Sequence, residues 1–167
     1  MLERGVYQGY GLQGVDDKGR VSIPSALRAI VEANTPPKDG KEARTVIVAA
    51  HETEECLVGY DLGYTEQLQR QVHARAAAAS DPTAPRDWNA SRLNFGISEP
   101  LPFDASGRFV LQGYPRAHAQ IGKFALFIGL GDVFEIWNPQ TLINTENAPK
   151  PLKSLARYLM ADKGISL

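Results

Sequence analysis

Apolar residues in this chain come mostly in short alternating or continuous bursts, with helical spacing confined to a few stretches, so the pattern predicts a strand-rich α+β fold. Residues 6–15 (VYQGYGLQGV) alternate tyrosine, valine and leucine with glycine and glutamine and predict a twisted first strand. Residues 21–23 predict a second strand, which Pro24 ends beside a helix start with Ser25 as a candidate cap. A short helix is expected over residues 26–33, with Leu27, Ile30 and Val31 on its apolar face. After a loop at 34–44, the runs 45–50 (TVIVAA) and 56–60 (CLVGY) read as strands joined by the acidic turn HETEE. Leu68, Val72, Ala76 and Ala79 share a helical face and place a helix over 65–79, broken by DPTAP. A second helix is expected over 86–95, opened near Pro85 and closed at Gly96.

The same sequence of elements then returns. Strands are expected at 97–103, 109–111, 123–130 and 133–137, with a short, weak helix at 114–120 and a tight turn at Gly131-Asp132. Pro100 and Pro102 make the first of these an edge or irregular strand. Helical character resumes at 139–144 and again at 151–160. The correspondence is also one of residues. VDDKGRVSIP at 15–24 is matched 88 positions later by FDASGRFVLQ at 103–112, so Asp16 pairs with Asp104, Gly19 with Gly107 and Arg20 with Arg108. Tyr60 lines up with Trp137 at an offset of 77, the first copy having the longer loops. Each copy is about 50 residues, small for an independent core, so the two halves are expected to bury their faces against each other in one pseudo-symmetric body.

Composition narrows the partners. The chain has 167 residues, 43% hydrophobic and 22% charged, which suits a single globular body. Its one cysteine, Cys56, leaves no internal disulfide framework, and the first residues lack the apolar run of a signal peptide. No window has the roughly 18 apolar residues of a membrane span, so no membrane partner is expected. A net charge of −1 argues against coating nucleic acid by bulk positive charge, but the balance is local. Residues 1–28 carry +1, 32–57 carry −3 and 149–167 carry +3.

Catalytic chemistry finds little support. Gly9, Gly11 and Gly14 match G-x-G-x-x-G, but almost nothing precedes them and a turn and strand follow, so the dinucleotide reading fails. Cys56 begins an apolar strand with His51 five residues away and no marked oxyanion site, and reads as a structural thiol. His51, His73 and His118 lie far apart without metal-ligand spacing, and Glu52, Glu54 and Glu55 read as an exposed turn. Asn89-Ala90-Ser91 matches a glycosylation sequon, which carries no weight without secretion. No cofactor, metal or small-molecule substrate is expected, and the chain is not read as an enzyme.

The two Asp-x-x-Gly-Arg turns are the candidate site. Gly19 allows a positive φ, and Asp16 or Asp17 can accept backbone N–H bonds across the turn. Lys18, Arg20 and Arg28 lie on or beside the first hairpin tip, and Arg108 and Arg116 occupy related places in the second. An arginine paired with its own aspartate at a solvated tip is the plain account of one copy. Two matched copies favour a further use, since arginine on a rigid tip can fork onto guanine O6/N7 or phosphate and a two-stranded ribbon fits the major groove.

DDKGRVSIPSALR, the strand CLVGYD, and DASGR with ALFIGLGDVFEIW resemble the MraZ family, within the SpoVT/AbrB swapped-hairpin superfamily, over about residues 4–144. The resemblance implies two swapped-hairpin β modules forming one β-barrel-like body with short flanking helices. It places module 1 at 9–62, a helical connector at 63–96, module 2 at 97–141 and a partly helical tail at 142–167. It implies a cytoplasmic, nucleoid-associated regulator that binds double-stranded promoter DNA as a homo-oligomeric ring, usually repressing its own operon in the division and cell-wall gene cluster. By position, Asp16, Gly19 and Arg20 fall on the first motif and Asp104 and Arg108 on the second; Arg20 is the implied principal DNA contact, with Lys18 and Arg28 as supporting phosphate contacts. Arg4 sits where the family has a similar N-terminal pair with Gly5. The second copy has Ser106 in place of a basic residue and Gln112 in place of a strand-ending proline, so it is expected to serve mainly the fold and the ring. The competing readings are an AbrB-like antitoxin or protein-interaction module, supported by the basic tail, and a barrel-fold enzyme.

Overall fold

The computed structural model describes residues 3–40, 43–77 and 83–165. Strands β1 (Tyr10–Gly14), β2 (Arg20–Ser22), β3 (Thr45–Ala50), β4 (Leu57–Tyr60), β5 (Ser98–Pro102), β6 (Arg108–Val110), β7 (Phe124–Gly129) and β8 (Phe134–Trp137) carry the fold. Helices α1 (Ser25–Asn34), α2 (Tyr64–Ala77), α3 (Asn89–Ser91), α4 (Gly113–His118), α5 (Pro139–Asn144) and α6 (Lys150–Asp162) flank them. The fold is α+β, with antiparallel strands and mostly short helices.

Six strands form one sheet in the order β1-β7-β8-β4-β3-β5, and β2 and β6 form a separate two-stranded ribbon. That order is symmetric about its centre. The paired strands β3 and β4 of the first repeat abut β8 and β7 of the second, and each repeat's opening strand pairs with the other repeat: β1 with β7, β5 with β3. The two strands that each turn joins therefore pair with other strands and not with each other. β2 pairs with β6, in the register Arg20 to Val110, Val21 to Phe109 and Ser22 to Arg108. The six-stranded sheet is not itself a closed barrel. The edge strands β1 and β5 do not pair; each leaves the sheet through its Asp-x-x-Gly-Arg turn, and their continuations β2 and β6 pair with each other instead.

Period-2 alternation decides which side chains enter the core. Val21 and Phe109 point from the ribbon into a central cluster with Ile23, Leu27, Val31, Val46, Val48, Phe127 and Phe134, all buried. The Phe109 and Phe127 rings meet edge-on at 6.5 Å. The other sheet face is covered in two halves. Leu12, Leu126 and Trp137 pack under α5 and α6 through Leu142, Ala156 and Met160, while Ile47 and Tyr60 pack under α2 through Tyr64, Leu68 and Val72. The matched Tyr60 and Trp137 are both buried, and each precedes a capping side chain: Asp61 accepts from the Tyr64 amide and Asn138 from the Gln140 amide.

The expected helix over 86–95 is shorter and irregular. Regular helix begins only at Asn89, whose amide donates to Asp87, and after one turn it widens into a π-helical turn at Arg92–Gly96. The helix expected to end at 79 is described to Ala77; its last two positions lie outside the described residues.

Candidate nucleic-acid interface

The two turns superpose bond for bond. In the first, Asp16 Oδ1 accepts from the amides of Lys18 at 3.0 Å and Arg20 at 2.9 Å, and Asp16 Oδ2 accepts from Arg20 Nε. In the second, Asp104 Oδ1 accepts from the amides of Ser106 and Arg108, both at 2.9 Å, and Asp104 Oδ2 from Arg108 Nε at 3.1 Å. The backbone repeats as well: Gly19 donates to the Asp16 carbonyl and Gly107 to the Asp104 carbonyl, each at 2.9 Å. These donors hold both carboxyls below the ordinary aspartate range, with the arginine amide the largest cause in each turn.

The turns also lock into each other. Leu111 donates to the Gly19 carbonyl at 2.7 Å, and Ile23 donates to the Gly107 carbonyl at 2.9 Å. Gly19 has φ +80° and Gly107 φ +79°, values only glycine adopts without strain, and both are packed over by side chains from the other repeat. Gln112 lies on Gly19, and Arg28 lies on Gly107 with Nη1 donating to the Ala105 carbonyl at 3.5 Å. Each turn is thus braced by the residues that follow the other repeat's ribbon strand.

With Val21 and Phe109 turned inward, Arg20, Ser22, Arg108 and Val110 share the outer face of the ribbon. The Arg20 and Arg108 side chains are 44% and 54% exposed, and Val110 is 50% exposed. Each guanidinium is tethered through Nε to its own aspartate, and among the described residues neither has a partner for its two Nη groups. The result is two aimed forks on one rigid strip. Lys18 is exposed at the first turn, where the second has Ser106.

Two expected site residues are engaged elsewhere. Arg4 grips Asp61 with both Nη groups, at 3.0 and 2.8 Å, and lies 5.5 Å from the centre of the Tyr64 ring. Asp61 is fully buried and also accepts from the Tyr7 hydroxyl at 2.7 Å. Burial, followed by this bond to Asp61, pushes the Tyr7 hydroxyl far above its ordinary range. Arg116 donates through Nε to the Ile121 carbonyl, through Nη2 to the Gly122 carbonyl and through Nη1 to Gln112. It pins the loop after α4 and holds the glutamine that covers Gly19.

The structure also joins residues that the sequence keeps apart. His51, Cys56 and Glu135 bring their ligand-type atoms within 4.8 Å of one another. The β4–β8 register sets Glu135 opposite Val58, which no local spacing reveals. His51 Nδ1 accepts from the amides of Thr53 and Glu54, which leaves the ring proton on Nε2, 3.6 Å from Glu135. Trp137 Nε1 donates to the same carboxylate at 2.9 Å. Burial first, then Glu135, pushes the Cys56 thiol well above its ordinary range. Since Nδ1 is occupied as an acceptor, Nε2 has no lone pair for a metal, and the cluster reads as a proton-donor set around one carboxylate. No helix of the described residues is long and apolar enough to cross a membrane.

No family model matches the chain. Curated relatives do. Proteins named "Transcriptional regulator MraZ" from Rhodospirillum rubrum, Ruegeria pomeroyi and Rickettsia akari are 34%, 31% and 31% identical. The matches cover 86%, 85% and 86% of this chain and 85%, 83% and 84% of those proteins. Their named role is regulatory and not enzymatic.

Proposed function

The chain belongs to the MraZ family of transcriptional regulators, and from that premise we propose that it represses its own operon, in the division and cell-wall gene cluster, by binding repeated promoter elements through the β2–β6 ribbon. The observation that carries this reading is the pairing of β2 with β6, which sets Arg20 and Arg108 on one exposed face. A two-stranded ribbon fits the major groove, about 12 Å wide, and an arginine fork matches guanine O6/N7. Val110 lies opposite Arg20 in the ladder and offers an apolar surface for a thymine methyl. Lys18 and Arg28 flank the strip and serve the phosphates. Arg4 and Arg116 belong to the frame, through Asp61 and the α4 loop.

The exchange of opening strands between repeats supports the swapped-hairpin reading, with modules at 9–62 and 97–141 joined by the 63–96 connector and followed by the 142–167 tail. A single ribbon makes few phosphate contacts. Several copies held in a ring on repeated sites gain affinity of about 10²–10⁴ without any new contact, which reconciles DNA binding with a net charge of −1. The setting is the cytoplasm, at the nucleoid, with no membrane or small-molecule partner.

The test is a gel shift on DNA from upstream of its own coding sequence, beside light scattering. Wild type is expected to bind and Arg20→Ala to lose the operator while keeping the same oligomeric mass. Full-affinity binding by Arg20→Ala at moderate salt overturns the assignment.

A further inference from the structure

We propose that helix α6 is a second, sequence-independent DNA contact, a phosphate rail that supplies the electrostatic attraction the ribbon lacks. The inference rests on the DNA-binding reading above. Residues 149–167 carry +3 in a chain of net −1, so the rest of the chain carries −4. The two turns contribute nothing to a net field: Asp16 and Asp17 offset Lys18 and Arg20, and Asp104 offsets Arg108. Beyond these pairs the reading heads offer only Arg28 to the phosphates, so further neutralisation has to come from elsewhere.

α6 is built for that. Ala156 and Met160 are buried, and Leu152 and Leu159 are half-buried against Leu12, Leu126 and Trp137. This seats the helix, beside α5, on the sheet face opposite the ribbon's core, over Leu12 of the edge strand β1 that feeds the Asp16 turn. With that face committed, Lys150, Lys153 and Arg157 fall at i, i+3 and i+7 as one stripe beside it, and Lys163 follows at the C-terminal end. Lys150, Arg157 and Lys163 are exposed, and Lys153 is half-buried with its stem along the helix. Among the described residues, none of the four has an acidic partner within ion-pair distance. The stripe from Lys150 to Arg157 rises about 10 Å, the axial length of about three phosphates on one DNA strand. A solvated helix of an otherwise acidic protein has no need to gather its cations unpaired on one side. A polyanion with closely spaced charges accounts for the gathering.

The experiment compares wild type, the triple variant Lys150→Gln/Lys153→Gln/Arg157→Gln and Arg20→Ala. Binding to the upstream duplex and to an unrelated duplex of equal length is followed by fluorescence anisotropy over 50–300 mM salt. Circular dichroism and light scattering establish that the fold and the oligomer are kept. The triple variant should weaken binding to both duplexes by the same factor and flatten the slope of log K against log salt by about 2–3, near 0.9 per lost phosphate contact. Arg20→Ala should lose the preference for the upstream duplex while keeping the slope. An unchanged slope in a folded triple variant, with wild type binding normally, overturns the rail alone and points the stripe to an acidic protein partner. Absence of DNA binding by wild type at 50 mM salt overturns the DNA reading and the rail with it.

Discussion

The amide of Leu111 donates to the carbonyl of Gly19 at 2.7 Å, so the tip of one repeat is closed by the other. A Cβ added at Gly19 would lie 2.5 Å from the Leu111 carbonyl oxygen and 2.6 Å from the Gln112 side chain, at φ +80°. Left-handed backbone and the displaced ribbon each add a cost, so Gly19→Ala should destabilise the protein by about 2 kcal/mol or more. Gly122→Ala is the control, since its Cβ position is open and its φ is not positive. Urea denaturation of the two variants checks the difference; equal midpoints would show that the interlocking of the turns contributes little.

Arg20 and Arg108 share one face in matching tethers, so their losses should be similar. Each is expected to cost operator affinity by about 1–3 kcal/mol per protomer contact, or roughly 5–150-fold, when replaced by alanine. Thermal stability should barely move, because both side chains are half exposed and paired only with a surface aspartate. Anisotropy titration on the upstream duplex decides it. If Arg108→Ala binds as wild type while Arg20→Ala fails, the second turn serves only the fold, as the poorer basic setting around Ser106 suggests.

Local signals located the elements well because each rests on local physics. Leu27 and Val31 on α1, the run at 45–50 and the strands at 21–23 and 109–111 all follow from spacing alone. Pairing was not legible. DDKGR and DASGR are sound hairpin turns by composition, and nothing local says that their arms exchange partners across 88 residues. The same holds for charge. Arg4 and Arg116 read as DNA-binding candidates in sequence, and the acceptors that engage them here, Asp61 and the carbonyls of Ile121 and Gly122, are brought in by tertiary structure and an irregular loop. Ser106 and Gln112 made the repeats look unequal, yet the turn geometry depends on the aspartate, glycine and arginine, which both copies keep.

The turns should hold their shape across the whole physiological range of pH. Asp16 and Asp104 are held below the ordinary aspartate range, chiefly by the backbone amides of Arg20 and Arg108. A depressed carboxyl contributes order that is fully present above the unfolded value and is lost as pH falls through the folded one. The amide shifts of Lys18, Arg20, Ser106 and Arg108 should therefore stay constant from pH 8 to 5 and change only below about pH 4. A transition near pH 6 in these four signals would contradict the assignment of the donors.

Arg4 should matter to stability and not to DNA. Removing it leaves the fully buried Asp61 with hydroxyl and amide donors and no counter-ion. Arg4 is 29% exposed, so water recovers part of the loss, and Arg4→Ala should cost about 2–3 kcal/mol, less than for a fully buried pair. Tyr7→Phe removes a second donor and should cost about 1–2 kcal/mol, with the double variant departing from additivity because both act on one carboxylate. Denaturation curves give the three values. Operator affinity of the folded fraction should remain within twofold of wild type; a larger loss for Arg4→Ala would return this residue to the interface.

Cys56 should be silent to thiol reagents while the protein is folded. Burial is the first cause of its raised range and the Glu135 carboxylate the second, so the two can be separated. At pH 8 the unfolded thiol is near its ordinary value and reacts readily, whereas the native thiol must wait for opening, which slows labelling by roughly a thousandfold or more. Glu135→Gln removes the charge but not the burial, so labelling should stay slow provided the variant remains folded. Fast labelling of folded Glu135→Gln would mean that the carboxylate, and not the closure of the core around β4 and β8, is what keeps the thiol protonated and unreactive.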